Sequence, residues 1–236
     1  MRRGAFFFSV TLYASVLLTG CWKGISHEVL ATVLSVRGQV TYIPKDAQDP
    51  RVLSPGARLN AGCSVRVSDG AEVDITLLPG VLLRASDNSE VTIGELKLIK
   101  DGDETSGGMI DHTAGIRLKQ GKLTLSYEQP EGTSGSFAVV TDRITVNAKL
   151  DSLFCIETDA LHTRVICVRG QIDALDATGK LSVIKTGRLQ NWDSRQSESI
   201  LVRTDSRTQP EIDKALKVEE QLRALDPPNA FPARSP

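Results

Sequence analysis

The chain has 236 residues, 40% of them hydrophobic and 24% charged, and its 28 basic and 29 acidic side chains leave a formal net charge of -1. This balance argues against nucleic acid as a partner, because proteins that bind nucleic acids usually carry a basic surface or a high pI. The hydrophobic content excludes a wholly disordered chain. The length is sufficient for one or two domains with a substantial apolar core.

Residues 1–20 have the organisation of a secretory signal. Arg2 and Arg3 supply positive charge, and residues 6–18 form an uncharged, mostly apolar run. This run is too short to cross a hydrocarbon layer, which requires about 20 helical residues. A charged start, a short apolar centre and a small-residue end together predict a segment that is removed from the mature protein.

The end of this segment, Leu18-Thr19-Gly20-Cys21, resembles the lipobox of bacterial lipoproteins, in which the cysteine thiol is lipidated and the cysteine becomes the new N-terminus. Cys21 is then the membrane anchor and residues 21–28 form a tether. Trp22 stands where aspartate would indicate retention in the inner membrane of some bacteria, so the outer membrane is favoured. The alternatives are an ordinary signal peptide with a chance cysteine, or a short membrane anchor.

From Val29 onward the sequence contains short runs in which apolar and polar residues alternate, a pattern typical of half-buried β-strands. Turns such as Asp69-Gly70 and Pro79-Gly80 separate these runs. Residues 29–204 are therefore predicted to form an all-β sandwich, roll or solenoid of short antiparallel strands. The polar, glycine-rich stretch 102–115 is predicted to be a mobile loop.

A short motif recurs along the chain. Val36-Arg37-Gly38-Gln39-Val40 returns as Val168-Arg169-Gly170-Gln171-Ile172, and in each copy a second glycine follows, at Gly56 and at Gly187. Gln120-Gly121-Lys122-Leu123 is a weaker third copy. Glycine within a strand usually marks a bulge or a sharp corner, so the motif predicts structural repetition, with coincidence of a common short motif as the alternative.

The C-terminal segment has a different pattern. Residues 205–226 are predicted to form a helix, with Pro210 in the first turn and a stop at Asp226-Pro227-Pro228. One side of this helix carries the residues spaced to form a stripe, namely Ile212, Leu216, Glu219, Leu222 and Leu225, with Ala215 beside them. We expect the stripe to pack on the β domain; the alternative is a helix that binds a partner or a second copy. Residues 227–236 are predicted to be disordered.

The order of the glycine-anchored segments is itself informative. After the first motif copy come Pro55-Gly56-Ala57-Arg58-Leu59-Asn60-Ala61-Gly62, Ser68-Asp69-Gly70-Ala71-Glu72-Val73, Leu78-Pro79-Gly80-Val81-Leu82-Leu83, Ser89-Glu90-Val91-Thr92-Ile93, Leu118-Lys119-Gln120-Gly121-Lys122-Leu123, Phe154-Cys155-Ile156 and Thr163-Arg164-Val165, before the second copy closes the series. From Val33 to Gly187 this pattern resembles the FecR domain family of bacterial envelope proteins.

The resemblance implies a periplasmic, solenoid-like β-domain that binds partner proteins and relays signals. In the best-known members this domain follows a membrane span whose cytoplasmic side controls a sigma factor. The present chain departs from them, because it has a lipobox instead of that span, carries Leu150-Asp151-Ser152 where Arg-Gly-Thr is frequent, and lacks a second small α/β domain. A binding or assembly role is therefore expected, and transmembrane signalling of the usual kind is in doubt.

No catalytic, metal-binding or cofactor-binding motif is recognisable, so neither an enzyme nor a cofactor or small-molecule substrate is predicted. The three histidines, His27, His112 and His162, lack metal-ligand spacing. Asp111-His112 falls in the glycine-rich stretch and is predicted to be a solvated loop pair rather than a ligand or base. His162 is expected near a hairpin tip.

Cys155 and Cys167 flank a predicted turn at 159–162, and a register centred on Leu161 would place them directly opposite each other. In an oxidising compartment such a pair forms either a disulfide or two buried thiols at neighbouring sites, and the sequence leaves both open. Cys63 is predicted to be a buried thiol.

Three functional hypotheses follow. The first is a non-catalytic, lipid-anchored binding and signal-relay module that faces the periplasm and contacts an envelope protein partner, with strand addition at an open sheet edge as the simplest mode. The second is a structural or cell-wall-associated envelope lipoprotein without a signalling role. The third is a hydrolase or carbohydrate-binding protein, which a pocket with convergent histidine and carboxylates would favour.

Overall fold

The computed structural model describes residues 25–100, 109–193, 200–203 and 208–226. The strands are β1 Ile25–Glu28, β2 Ala31–Arg37, β3 Val40–Ile43, β4 Arg51–Val52, β5 Arg58–Leu59, β6 Ser64–Val67, β7 Glu72–Leu78, β8 Val81–Lys100, β9 Met109–Tyr127, β10 Ser134–Val140, β11 Ile144–Ala148, β12 Ser152–Thr158, β13 His162–Arg169, β14 Gln171–Asp176, β15 Leu181–Lys185, β16 Arg188–Asp193 and β17 Ile200–Arg203, and the helix is α1 Gln209–Leu225. The predicted all-β class with one C-terminal helix is confirmed.

A long antiparallel hairpin of β8 and β9 organises the sheet. The first half of β8 pairs with β7 and with the second half of β9, whereas its second half pairs with β6, β1 and the first half of β9. The outer edge of β9 pairs with β10 and then with β12. Both halves of the chain therefore extend from one central hairpin.

Two features of this hairpin differ from the expected short antiparallel strands. β8 and β9 contain 20 and 19 residues, and β9 pairs with β10 in parallel. Residues 109–115, expected in a mobile loop, belong to β9, while 101–108 lie outside the described residues. Pairing on both edges of β9 overrides the weak strand propensity of its polar residues and Gly115.

The recurring glycines lie where the chain turns from one layer of the sheet to the other. Gly38 connects β2 to β3 with φ +77°, and Gly170 connects β13 to β14 with φ +80°. A side chain at residue 170 would place its Cβ 2.1 Å from the carbonyl oxygen of Asp151, so glycine is required there. Gly121, with φ +99°, lies at the corresponding bend of β9. These positions agree with the predicted corners.

The folded sheet encloses one apolar core. The Tyr127 and Phe154 rings come from one layer, and the Phe137 ring from the other packs 6.4 Å from Tyr127 and 6.5 Å from Phe154, measured between centroids. All three side chains have at most 1% of their surface exposed. The fold is therefore a two-layer sandwich made from a single bent sheet.

Helix α1 packs on the outer face of one layer. Its buried positions are Ala215, Val218, Glu219 and Leu222, whereas Leu216 and Leu225, assigned to the predicted stripe, are 44% and 41% exposed. Among the described residues, no helix combines the length and apolar character needed to cross a membrane. Residues 25–28, expected to belong to the tether, form β1 on the edge of β8. The predicted signal segment and disordered tail lie outside the described residues.

A charged network holds α1 in place. The Arg169 guanidinium donates to both carboxylate oxygens of Glu219, at 2.7 and 2.5 Å, and the Ser126 hydroxyl donates to the same carboxylate at 2.8 Å. Burial alone would raise the pKa of Glu219, but hydrogen bonds from Arg169, Arg223 and Ser126 outweigh burial and lower the pKa to about 2. The arginine of the second motif copy thus anchors the C-terminal helix.

Candidate functional site

Strand β15 forms an open edge of the sheet. Within the described part of the chain, its only ladder partner is β14, in an antiparallel register that opposes Leu175 to Leu181 and Asp173 to Val183. Among the described residues, no strand pairs with the backbone groups on the other side of β15. We call this side, from Leu181 to Lys185, the β15 edge.

The hydrogen-bond pattern shows which backbone groups point outward. The N–H of Asp176 donates to the carbonyl of Lys180 at 3.1 Å, and the N–H of Thr186 donates to the carbonyl of Gly170 at 3.0 Å. Hydrogen-bonded and non-hydrogen-bonded pairs alternate in an antiparallel ladder, so Ser182 and Ile184 bond to β14. The other three residues of the strand, Leu181, Val183 and Lys185, therefore direct their N–H and C=O groups toward the open side.

These same residues expose apolar surface. Leu181 is 59% exposed and Val183 is 41% exposed, and Leu175, opposite Leu181, is 40% exposed. Edge strands are usually protected by proline, by a bulge or by charged side chains. The β15 edge has no proline, its pairing with β14 has no bulge, and its one charge, Lys185, stands at the C-terminal end. The central part of the edge is consequently unprotected.

The face of β15 that points into the core, together with the end of the strand, fixes the strand in place. Ile184 is fully buried in the core, and the Gln190 side-chain amide donates to the Ser182 hydroxyl at 3.0 Å. Thr186 closes the strand against Gly170 through both its N–H and its hydroxyl, each at 3.0 Å from the glycine carbonyl. A rigid, open strand is preorganised for accepting another strand.

A polar cleft of about 410 Å³ lies elsewhere, where β12, β13 and β16 end together. His162 faces Asp193 across the ladder, with Nδ1 3.4 Å from the carboxylate oxygen Oδ2. Asp159 accepts the backbone N–H groups of Leu161 and His162 at 2.6 and 2.7 Å, which lowers the pKa of Asp159. Its carboxylate thus stabilises the hairpin turn expected at this position.

The other charges of the cleft also have structural partners. Arg164 donates to Glu211 of α1 at 2.9 Å, and Glu157 lies 3.6 Å from the ammonium group of Lys122. The one hydroxyl lining the cleft, that of Thr158, is 2.7 Å from the hydroxyl of Thr163 and buried with it. A histidine and carboxylates do converge here, but without an exposed nucleophile among the lining residues. Across the described residues, no three His, Cys, Asp or Glu side chains form a group that could hold a metal ion.

The structure corrects the expected placement of His112. The side chain is fully buried instead of solvated, and Nε2 lies 3.1 Å from the hydroxyl of Tyr127. Burial lowers the pKa of His112, and the negative charge of Asp111 offsets this only in part. Because residues 109–115 extend β9, alternate residues there face the core, and His112 is one of them.

The cysteine register is also corrected. Phe154 opposes Cys167 and Cys155 opposes Ile166, because the hairpin turn is centred between Ala160 and Leu161 and not on Leu161. Cys155 therefore packs beneath α1, whereas Cys167 faces the main core. Both are free buried thiols, as is Cys63, so the described residues contain three free thiols and no Cys155–Cys167 disulfide.

No protein family matches the chain, and no curated protein matches it. Two crystal structures described as "a putative anti-sigma factor from Parabacteroides distasonis" are similar in shape, with TM-scores of 0.46 and 0.44 at 14% and 15% sequence identity. In both cases the matched part covers 62% of this chain and 62% of the solved chain. Similarity at these values establishes neither a shared fold nor a shared function.

The predicted anchor and the observed edge lie in different parts of the chain. Cys21 falls outside the described residues, so its lipidation stays a prediction. The β15 edge was missed at the sequence level, although Leu181-Ser182-Val183-Ile184-Lys185 stands between turn signals at Thr178-Gly179 and Thr186-Gly187. Those signals predict a short strand, but no local pattern shows which strand lies at an edge.

Proposed function

We propose that the protein is a non-catalytic, lipid-anchored binding module of the bacterial cell envelope that pairs with an extended protein segment at the β15 edge. The observation that carries this proposal is the combination of outward backbone groups with exposed Leu181 and Val183 on one rigid strand. In β-strand addition, backbone hydrogen bonds provide affinity and alternate side chains provide specificity. The edge offers both.

The anchor in this proposal is Cys21. β1 begins at Ile25, four residues later, so a lipid on Cys21 would hold the sheet within about 13 Å of the membrane surface, at 3.3 Å per extended residue. Attachment through several acyl chains is stable, because each buried methylene contributes about 0.8 kcal/mol. The domain would then face the periplasm, and the residue after the anchor, Trp22, favours the outer membrane.

Signal relay is the finer part of the proposal, and it is supported by the resemblance of residues 33–187 to the FecR domain pattern. The alternative is a structural envelope lipoprotein that uses the same edge without relaying anything. The two differ in the consequence of binding: loss of the edge changes the expression of dependent genes in the first case, and only the attachment or stability of an assembly in the second.

The edge is tested with a photo-crosslinking amino acid placed at Leu181 in the full chain in its native host. We expect a discrete protein adduct at Leu181 and none at Val52, an exposed valine that belongs to the two-residue strand β4. Val183→Pro, which removes an outward N–H without removing a bond to β14, should abolish the adduct at Leu181. An adduct of equal yield at both positions, or one that survives Val183→Pro, would contradict strand addition.

A further inference from the structure

The self-complementarity of the β15 edge points to its occupant. Resting on the proposed function, we propose that the strand added at this edge is β15 of a second copy of the same chain, antiparallel and centred on Val183. The two sheets then join into one continuous sheet across a two-fold axis. The inference follows from register, from side-chain pairing and from symmetry.

The register follows from the outward groups. An antiparallel pairing centred on Val183 places Val183 opposite its own copy and Leu181 opposite Lys185 of the second copy. At three positions, residues whose N–H and C=O groups point to the open side therefore face each other. Each such pair exchanges two hydrogen bonds, so about six backbone hydrogen bonds form between the two copies. A centre on Ser182 or Ile184 retains only two of these pairs within the strand. Odd register shifts would oppose outward groups to residues already bonded to β14.

Side-chain pairing agrees with this register. On the outer face Val183 meets Val183, and the aliphatic stem of Lys185 covers the exposed Leu181 of the other copy. On the inner face Ser182 lies opposite Ile184. The two Lys185 ammonium groups stay apart, because their Cα atoms are separated by four residues along the strand, about 13 Å. No like charges are opposed, and both exposed apolar residues of the strand, Leu181 and Val183, are covered by side chains of the other copy.

The two-fold symmetry of this dimer allows both copies to be anchored in the same membrane. Directly opposed residues of an antiparallel pair project to the same face, so the two-fold axis is perpendicular to the sheet. Both copies then present the same face in the same direction, as two proteins anchored in one membrane must. Confinement to a membrane surface raises the effective concentration of each copy for the other, which favours a short pairing edge.

The test uses single cysteines in the full chain, oxidised in native membranes. Facing Cα atoms of a hydrogen-bonded pair are about 5.5 Å apart, within disulfide range, so Val183→Cys should form a disulfide-linked homodimer. Leu181→Cys alone should not, because residue 181 and its copy are about 13 Å apart. We expect at least about a tenfold higher dimer fraction for Val183→Cys than for Leu181→Cys or the exposed control Val52→Cys. The native thiols of Cys63, Cys155 and Cys167 are buried, so we expect the protein without an added cysteine to stay monomeric on oxidation.

A second measurement removes dependence on one variant. Differently tagged Leu181→Cys and Lys185→Cys chains, expressed together, should cross-link to each other while neither cross-links to itself. Equal dimer yields at residues 181, 183 and 52 would indicate random collision and overturn the register. If Val183→Cys stays monomeric while the photo-crosslinker at Leu181 captures a different protein, self-pairing is wrong and the proposed function stands. If both experiments give no product, both proposals are wrong.

Discussion

The imidazole Nε2 of His112 lies 3.1 Å from the hydroxyl of Tyr127, and this contact joins the two layers of the sandwich across the core. His112 comes from the first half of β9 and Tyr127 from its last residue, so one bent strand supplies both partners. Each side chain is fully buried. Burial lowers the pKa of His112 and raises the pKa of Tyr127 to about 12, which keeps both groups neutral.

Stability should therefore fall on mild acidification. The pKa of His112 is below its ordinary value of 6.5 in the folded protein, so the unfolded chain binds the proton first as the pH falls. The contribution of neutral His112 is complete above pH 6.5 and is lost progressively below it. Thermal unfolding between pH 7.5 and pH 5.5 should show a smaller drop in melting temperature for His112→Gln than for the wild type. Parallel pH profiles for the two proteins would show that another group is responsible.

The His112 ring also explains a glycine in the next strand. A Cβ added at Gly135 would lie 2.3 Å from Cε1 of His112, and Gly135 has no positive φ that would already exclude a side chain. Gly135→Ala should destabilise the protein by about 1–3 kcal/mol through overpacking. The matched control is Gly115→Ala, since the nearest atom to a Cβ there is 3.8 Å away. Chemical denaturation measures both, and equal effects would mean that strand propensity, not the ring, is decisive.

The buried carboxylate of Glu219 links α1 to Ser126 and Arg169 of the sheet. Glu219→Gln removes the charge that Arg169 and Arg223 share, and we expect a loss of about 1–2 kcal/mol, reduced because both arginines are partly exposed. Cys155 lies beneath the helix with Ala215, so its reaction with a thiol reagent should accelerate in the variant. Glu220→Gln, at the exposed neighbouring position, should leave the rate unchanged.

This network has a defined pH dependence. The pKa of Glu219 is about 2 in the folded protein and 4.5 ordinarily, so its contribution is present above pH 4.5 and is lost as the pH falls toward 2. We therefore compare the labelling rate of Cys155 with that of a small free thiol at the same pH, because the reactive thiolate becomes scarcer in both as the pH falls. This relative rate should rise below pH 4 in the wild type, whereas in Glu219→Gln it should be high at every pH. A relative rate that is low and pH-independent in both proteins would contradict a role for the carboxylate.

The thiols themselves provide a simple measurement. With Cys155 and Cys167 on opposite faces of the sheet, the unreduced mature protein unfolded in guanidinium should release three reactive thiols, those of Cys63, Cys155 and Cys167. Reductant should not change the melting temperature. A single reactive thiol would mean that a bridge forms and that the register of β12 and β13 differs from the one described here.

Sequence patterns predicted the parts of the fold that depend on local chemistry. Alternation identified strands such as β6 and β7, and the corners at Gly38 and Gly170 were predicted from the recurring motif because only glycine tolerates their backbone angles. The burial of His112 was not predictable, since it depends on the pairing of β9 with both β8 and β10. A turn centred half a residue away from Leu161 shifts the register by one residue, which places Cys155 and Cys167 on opposite faces of the sheet. The β15 edge could not be recognised from the sequence either, because whether a strand lies at an edge depends on which distant strands pair with it.

The lipid anchor is tested most directly by Cys21→Ser. Without the thiol, lipid cannot attach to this residue, so we expect the precursor to accumulate or the protein to appear in the soluble fraction instead of the membrane. Metabolic labelling with a fatty-acid analogue should label the wild type and not the variant. Cys63→Ser is the matched control, because it removes a buried thiol of the folded domain. If Cys21→Ser is processed, labelled and membrane-bound like the wild type, the N-terminal segment is a different kind of anchor.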